Sequence, residues 1–521
     1  MYNMCHRPSH VATFGWLNGA EAAAAAGGSS PDNAPKPGTT PRARLPARRD
    51  PNDPDDGRDV EERLLPDFFW DPTDVLLSYS ALLFVLCAGA TPWAAGQRFG
   101  YVPYFTALAS VSIYVGAHRG LVREDRETFS LEQSAAVPVA CSASLLAVYL
   151  VLKYTEVDLA ALVGGYFWLL GSVAVTSNLM LPIGAAGGEA WSERELVSVP
   201  IPEGLAVDKE TGEPVTQVPL TAAVAAAGAI GIAAATADLV LGHGNHTVNN
   251  FLACCIVADF LSLIGLGSFA AAGTLLAGLL LYDAFWVFGS GYVFGDGTMD
   301  SNVMMTVATS ESFQGPFRLI FPRFDDVLNP PPPGVPPYSL LGLGDVAVPG
   351  LLACLALRYD ASRATDMRGR ATAAAAAFMG AFDDAWSEAD VEAELASGVV
   401  GSRAEVLGDE VAEKAAAAAE AAFDAAADVL GDTTSGATLE GGNTGGQNMM
   451  VPRSMGGRAF FSSVMVGYVG GLLLACGVNL VTGTGQPALV YLVPATLGSV
   501  LLTAGNRGEF GRLMAYKEPE K

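Results

Sequence analysis

Long apolar segments separated by polar stretches dominate the chain from residue 75 onwards. About 20 helical residues are needed to cross the hydrocarbon layer of a membrane. Ten runs approach or exceed this length: 75–91, 101–117, 135–153, 158–183, 218–241, 247–266, 269–290, 338–357, 459–481 and 485–504. The first two are at the short limit, and whether 75–91 spans is left open. The pattern predicts an all-α fold, a polytopic membrane bundle of nine to ten transmembrane helices.

Composition supports this fold class and divides the chain. Hydrophobic residues make up 51% and charged residues only 16%, as is typical of a multi-span membrane protein. Residues 1–74 are rich in Ala, Pro, Gly and Asp, which predicts a disordered low-complexity tail. We expect a transmembrane bundle over 75–357, an acidic Ala-rich cytosolic insertion over 358–458, two last transmembrane helices over 459–505 and a cytosolic tail over 506–521. The net charge of −25 lies largely outside the apolar runs, so it does not indicate a nucleic-acid surface.

The insertion contains two helix-prone stretches, 370–397 and 403–430, each followed by a glycine, Gly398 or Gly431. Between residues 360 and 440 there are 17 acidic and 5 basic residues. We interpret the insertion as a solvated helical hairpin without chemistry, and a docking site is the alternative.

The distribution of Lys and Arg predicts the orientation. If the polar stretch after 101–117 is cytosolic and the sides then alternate, cytosolic regions from there on hold 17 basic residues. The opposite side holds four: Arg98, Lys153, Arg318 and Arg323. This asymmetry predicts a cytosolic C-terminus.

Two carboxylates stand inside nearly charge-free segments, Asp283 and Asp345. An ionisable group at membrane depth is costly, so each is a candidate for function. Counted as helix from Gly289 and from Tyr338, both would lie roughly 10 Å from the same membrane face. Antiparallel neighbouring helices would then bring them together, an arrangement that indicates aspartyl-protease chemistry.

Three motifs on three apolar segments point to one family. They are YDAFWVFG from Tyr282, GLGDVAVPG from Gly342 and QPALVYLVPA from Gln486. Asn249-Asn250, LGSF from Leu266, ESFQGPFRLIFP and RYD from Arg358 accompany them. In this order they resemble the signal peptide peptidases, intramembrane aspartyl proteases related to presenilin. The chain looks most similar to the compact endoplasmic-reticulum type without a protease-associated domain.

The resemblance implies a presenilin-like or signal-peptide-peptidase-like bundle in which Asp283 and Asp345 are catalytic. It implies an active-site motif and substrate-binding set of Tyr282, Gly342, Leu343, Gly344, Gln486, Pro487, Ala488 and Leu489. The glycines would admit a substrate backbone, and Pro487 would interrupt the last helix so that free backbone groups bind an extended substrate. Two close carboxylates share one proton, so one acts as general base on water and the other assists the carbonyl.

The expected activity is endoproteolysis within transmembrane helices, with remnant signal peptides and type II membrane proteins as substrates. No metal, organic cofactor or nucleic-acid partner is expected, and a homo-oligomer is left open. The resemblance implies the endoplasmic-reticulum membrane, with other endomembranes as alternatives. A catalytically silent scaffold and a multi-span transporter are the competing functions. Asp259, where the family typically has a neutral polar residue, has no assigned role.

Overall fold

The structure is a computed structural model of the chain. It describes the following residues: 68–91, 99–122, 126–154, 160–200, 217–241, 245–294, 303, 307, 315–322, 338–396, 414–422, 449–450, 458–482 and 487–518. The predicted tail up to residue 67, the glycines Gly398 and Gly431, and Gln486 lie outside this set.

Ten long helices carry the ten predicted segments. Their bounds are α1 Pro72–Gly89, α2 Tyr101–Val122, α3 Leu131–Tyr154, α4 Ala160–Gly187, α5 Ala222–Val240, α6 His246–Leu263, α7 Phe269–Ala284, α8 Gly344–Ala396, α9 Ala459–Thr482 and α10 Leu489–Arg507. Shorter helical stretches are Glu189–Ser192, Ser290–Phe294, 414–422 and Phe510–Ala515.

Eight of the helices in the described part are long and apolar enough to cross a membrane. They include α1, which covers the short run 75–91. The other two long helices, α2 and α8, are not among these eight, and α2 and the start of α8 are largely buried in the bundle. The predicted all-α polytopic membrane fold is confirmed.

The described residues include four two-stranded pairings. The strands are β1 Phe68–Phe69, β2 Glu127–Phe129, β3 Glu195–Pro200, β4 Gln217–Thr221, β5 Ile264–Leu266, β6 Arg318–Pro322, β7 Tyr338–Gly342 and β8 Met449–Met450. The pairs β1–β8 and β2–β5 are parallel, whereas β3–β4 and β6–β7 are antiparallel.

The main core lies between α2, α6, α7, α8, α9 and α10. Small residues allow close helix contact there, since a Cβ added to Gly116 on α2 would lie 2.7 Å from the Leu261 Cβ on α6. By contrast, α3 buries only Ser134 and Tyr149, so most of its apolar surface faces outward. An outward apolar surface suits lipid, which offers no penalty for exposed hydrocarbon side chains.

One predicted segment has a different start. The expected helix over 338–357 begins as strand β7, and α8 starts only at Gly344. Alternate burial along β7 explains this, because Ser339 and Leu341 are buried while their neighbours are exposed. At its other end α8 runs without a break past residue 357 for 53 residues in total, about 80 Å at 1.5 Å per residue.

Candidate active site

Asp283 lies in the last turn of α7 and is 4% exposed. Ser268 caps the start of this helix by accepting a hydrogen bond from the Ala271 N–H at 3.1 Å. After Ala284 the helix widens into a π-helical turn over Phe285–Gly289. Such turns are rare and recur at functional sites. The Trp286 indole N–H donates to the Ser142 hydroxyl at 3.2 Å, which anchors the turn to α3.

The Pro-Ala-Leu motif presents a free helix start to this carboxylate. Pro487 is buried and precedes α10, whose first residue is Leu489, and the capping residue Ala488 has no side chain that could accept a hydrogen bond. The Leu489 N–H instead donates to the Asp283 Oδ2 atom at 3.2 Å. A carboxylate is a suitable partner for the unsatisfied N–H groups at a helix N-terminus.

Asp345 also lies at a helix start, in the first turn of α8. The depth count from Tyr338 is therefore wrong, because β7 is extended and not helical. Strand pairing continues into the motif, as the Leu343 N–H donates to the Phe317 carbonyl at 3.1 Å. A Cβ on Gly344 would meet nothing within 4 Å, so this side of Asp345 is open in the described part of the molecule.

The depth count for Asp283 needs a similar correction. The segment does not end at Gly289, because the helix continues from the π-helical turn through Ser290–Phe294.

The helices α7, α8 and α10 pack against one another and bring the two carboxylates into electrostatic contact. Asp283 accepts from the N-terminus of α10, and Asp345 lies in the first turn of α8. The backbone dipoles at these two helix starts stabilise negative charge without a cation. Among the described residues neither Asp283 nor Asp345 has an ion-pair partner. Two such groups can hold one proton between them and divide acid and base roles.

Two tyrosines differ in how they relate to the pair. Tyr282 packs towards α3, with its ring 6.4 Å from that of Trp286, in an aromatic cluster that includes Tyr149. Tyr468 on α9 is fully buried and interacts electrostatically with Asp345, and its hydroxyl has no hydrogen-bond partner in the described part. Tyr468 was not among the site residues predicted from the sequence. The sign that could have indicated it is a single tyrosine near the middle of the long run 459–481.

Asp259 belongs to a different cluster. It accepts hydrogen bonds from the Arg119 guanidinium at 3.1 Å and from the Ser177 hydroxyl at 2.7 Å. These partners join α6 to α2 and α4, and the Arg119 and Asp259 side chains are only 6% and 13% exposed. The structure therefore gives Asp259 an ion pair in the bundle.

The RYD motif forms a second polar centre, which we call the latch and define as Arg126, Arg358 and Glu518. The Glu518 carboxylate lies 2.7 Å from Arg358 and 3.0 Å from Arg126. The following motif residue, Asp360, accepts hydrogen bonds from the Phe460 and Phe461 N–H groups at the start of α9. The latch thus joins the C-terminal segment to the bundle about 20 Å along α8 from Asp345.

Comparisons with known proteins identify the family of the chain. The sequence matches the family model for signal peptide peptidase over residues 122–520. It is 28% identical to the signal peptide peptidase of Homo sapiens over 262 residues, which are 50% of this chain and 62% of that protein. It is 29% identical to that of Mus musculus over 263 residues, again 50% and 62%. Signal peptide peptidase-like 1 of Oryza sativa subsp. japonica is 36% identical over 158 residues, 27% of this chain and 42% of that protein.

The chain thus spans less than two thirds of the length of these curated relatives. No solved structure matches it. The family model covers most of the chain and includes all three motifs. This chain therefore belongs to the signal peptide peptidase family.

Proposed function

We propose that this protein is an intramembrane aspartic endopeptidase in which Asp283 and Asp345 form the catalytic pair. The observation that carries the proposal is the packing of α7, α8 and α10, which brings together Asp283, facing the N-terminus of α10, and Asp345, in the first turn of α8, both without a cation in the described part. A carboxyl group that is not held in an ion pair remains available for proton transfer.

The reaction follows from two carboxyl groups that share a proton. The ionised member takes a proton from a water molecule as the water oxygen bonds to the scissile carbonyl carbon. The protonated member donates a hydrogen bond to the carbonyl oxygen and stabilises the charge that develops there. Collapse of the tetrahedral intermediate breaks the C–N bond, and the leaving amine receives the transferred proton. The pair is then ready for another cycle, with no other reactant than water.

Strand β7 provides the means to hold the substrate. Its one strand partner in the described part is β6, and it leads through Leu343 to Asp345. A helical substrate must unwind before its peptide bond can be attacked, and an unwound segment needs partners for its backbone groups. The open edge of β7 offers those partners by strand addition.

The substrates we propose are remnant signal peptides and type II membrane proteins. Both classes carry a single transmembrane segment that would unwind onto the edge of β7, and two relatives carry the name signal peptide peptidase. We further propose that the enzyme lies in the endoplasmic-reticulum membrane with a cytosolic C-terminus.

The test uses the purified full-length protein in detergent with a synthetic signal-peptide segment. Wild type should cut the segment and Asp345→Ala should not. Asp259→Asn is the matched control, since Asp259 is also an acid within the bundle but is ion-paired to Arg119. It should retain cleavage per folded molecule. Equal cleavage by wild type and Asp345→Ala would contradict the proposal, and no cleavage by folded wild type would favour a catalytically silent scaffold.

Orientation has a separate test. Asn245 begins a glycosylation sequon, but its side chain caps α6 by accepting from the Thr247 and Val248 N–H groups. An unglycosylated Asn245 would therefore carry no information. A sequon placed in a lengthened connection at 242–246 should be glycosylated, and one placed within 435–450 should not. The reverse result would invert the proposed orientation.

A further inference from the structure

The side chain of Asn250 on α6 acts as a strand partner for β6. The side chain is fully buried. Its amide forms hydrogen bonds with both the N–H and the C=O of one β6 residue, Ile320. The amide nitrogen donates to the Ile320 carbonyl at 2.7 Å, and the amide oxygen accepts from the Ile320 N–H at 2.8 Å. Asparagine can do this because its side chain carries a donor and an acceptor at the spacing of a peptide group.

This contact decides which backbone groups of the hairpin face outward. In an antiparallel pair the N–H and C=O of one residue point to the same side, and successive residues alternate. Ile320 is directed at Asn250, so it does not bond to its register partner Leu340. Leu340 therefore directs its own N–H and C=O away from β6, to the open edge of β7. Leu340 is 48% exposed, five residues before Asp345.

Neighbouring polar groups hold the Asn250 amide in place. Its nitrogen also donates to the Tyr104 hydroxyl on α2 at 2.9 Å. The adjacent Asn249 is fully buried as well and donates to the Arg318 carbonyl at 2.9 Å. Alternate residues of β6 are thus fixed to α6 through side-chain amides, and the hairpin cannot slide along the bundle without breaking these bonds.

We propose that Asn250 is a positioning residue that selects the cleavage site. It sets the height of the β6–β7 hairpin, which in turn sets the substrate register on the β7 edge and the peptide bond that reaches Asp345. This inference rests on the proposed function and goes beyond it, because it assigns specificity to a residue that touches neither aspartate nor substrate.

The experiment compares Asn250→Ala with Asn178→Ala. Asn178 is the matched control: it is also a buried asparagine in the bundle and donates to the Ala174 and Cys255 carbonyls, but among the described residues it makes no hydrogen bond to the hairpin. Products from one transmembrane peptide are identified by mass spectrometry. Asn250→Ala should move or broaden the cleavage positions and lower kcat/KM by about ten- to hundredfold, since two backbone groups lose their partners. Asn178→Ala should keep the wild-type positions, whatever its rate.

Two further measurements do not depend on proteolysis. Amide hydrogen exchange at Ile320 should accelerate by about tenfold or more in Asn250→Ala and stay unchanged in Asn178→Ala. In the inactive Asp345→Ala background, a cysteine at Leu340 should cross-link to a narrow set of peptide positions, and adding Asn250→Ala should widen that set.

Unchanged cleavage positions together with unchanged Ile320 exchange in Asn250→Ala would overturn the inference. If Asn250→Ala does not fold, Tyr104→Phe removes one bond to the amide and should cause a smaller shift in the same direction. Wild-type positions in folded Tyr104→Phe would then count against it. Failure of wild type to cut any peptide would reject the proposed function, while the exchange measurement would still decide whether Asn250 holds the hairpin.

Discussion

The aspartate pair and the latch are two buried polar centres on the same helix, α8, and they treat charge in opposite ways. In the latch all three side chains are at most 9% exposed and each charge has a partner, at 2.7 Å and 3.0 Å. Asp283 and Asp345 have no cation among the described residues, and backbone dipoles at two helix starts take its place. The charged groups of the latch form ion pairs that stabilise the fold. The two carboxyl groups of the aspartate pair form no ion pair and remain able to transfer protons.

The comparison extends to Asp259. This residue shares the membrane setting of the catalytic candidates but is paired with Arg119. An acid within the bundle is therefore not sufficient evidence of catalysis. What separates Asp259 from the catalytic candidates is that its carboxylate is in an ion pair. Substitutions at the pair should lower activity without lowering the stability of the fold. Substitutions at the latch should lower stability without lowering the activity of the folded molecules.

The largest expected effect is at the pair. Asp283→Ala or Asp345→Ala should each lower cleavage by about 10³-fold or more, and the double variant should be no worse, because residues that act as a unit are not additive. The temperature of thermal unfolding in detergent should be unchanged or higher than that of wild type. Substantial cleavage by either single variant would remove the distinction between the pair and the latch.

Next in size is the latch. Arg358→Ala should destabilise the folded protein by about 3–5 kcal/mol, because it leaves the buried Glu518 with a weaker set of partners. Cleavage per folded molecule should stay close to wild type. Arg363→Ala is the control: its side chain is 19% exposed and pairs with Glu509 at 2.7 Å and with Asp360 at 3.5 Å. Asp360 keeps its two backbone hydrogen bonds from α9, so the loss of Arg363 should cost less, about 1–2 kcal/mol. Equal unfolding temperatures for the two variants would contradict the assignment of the latch.

Tyr468→Phe tests whether the hydroxyl beside the aspartate pair contributes to the cleavage rate. The Tyr468 hydroxyl is buried without a hydrogen-bond partner in the described part and interacts with Asp345. Its removal should not lower stability, since a buried polar group without a partner is itself unfavourable. We expect a rate about tenfold lower, because a donor beside the site is lost. Tyr359→Phe, which removes a 3.4 Å bond to Glu509 near the latch, should keep its rate.

The smallest effect should follow deletion of Ala371 to Gly446. The deletion begins after α8 has passed the latch and ends before α9, so both polar centres keep their contacts. Cleavage should stay within about twofold of wild type, in keeping with the acidic low-complexity composition of the segment. A shortened protein that folds but cannot cut would make the insertion part of the active enzyme.

The outline of the fold was predictable from the sequence because the hydropathy of each segment by itself determines whether its transfer from water to lipid is favourable. Each of the ten apolar runs overlaps a long helix, and the chain belongs to the family that its three motifs indicated. Strand β7 was not predictable in this way. Its residues are apolar enough to continue a helix, and only pairing with β6 reveals the alternate burial of a strand.

The sequence by itself determined which segments are apolar enough to enter a membrane and which two acids stand among them, since both follow from local hydropathy and residue identity. The tertiary structure alone decided what each buried charge meets. It placed the Leu489 N–H on Asp283, Arg119 on Asp259 and Glu518 on Arg358, between residues separated by 140 or more positions. Such contacts depend on how the helices pack around one another, and no local pattern along the chain encodes that arrangement.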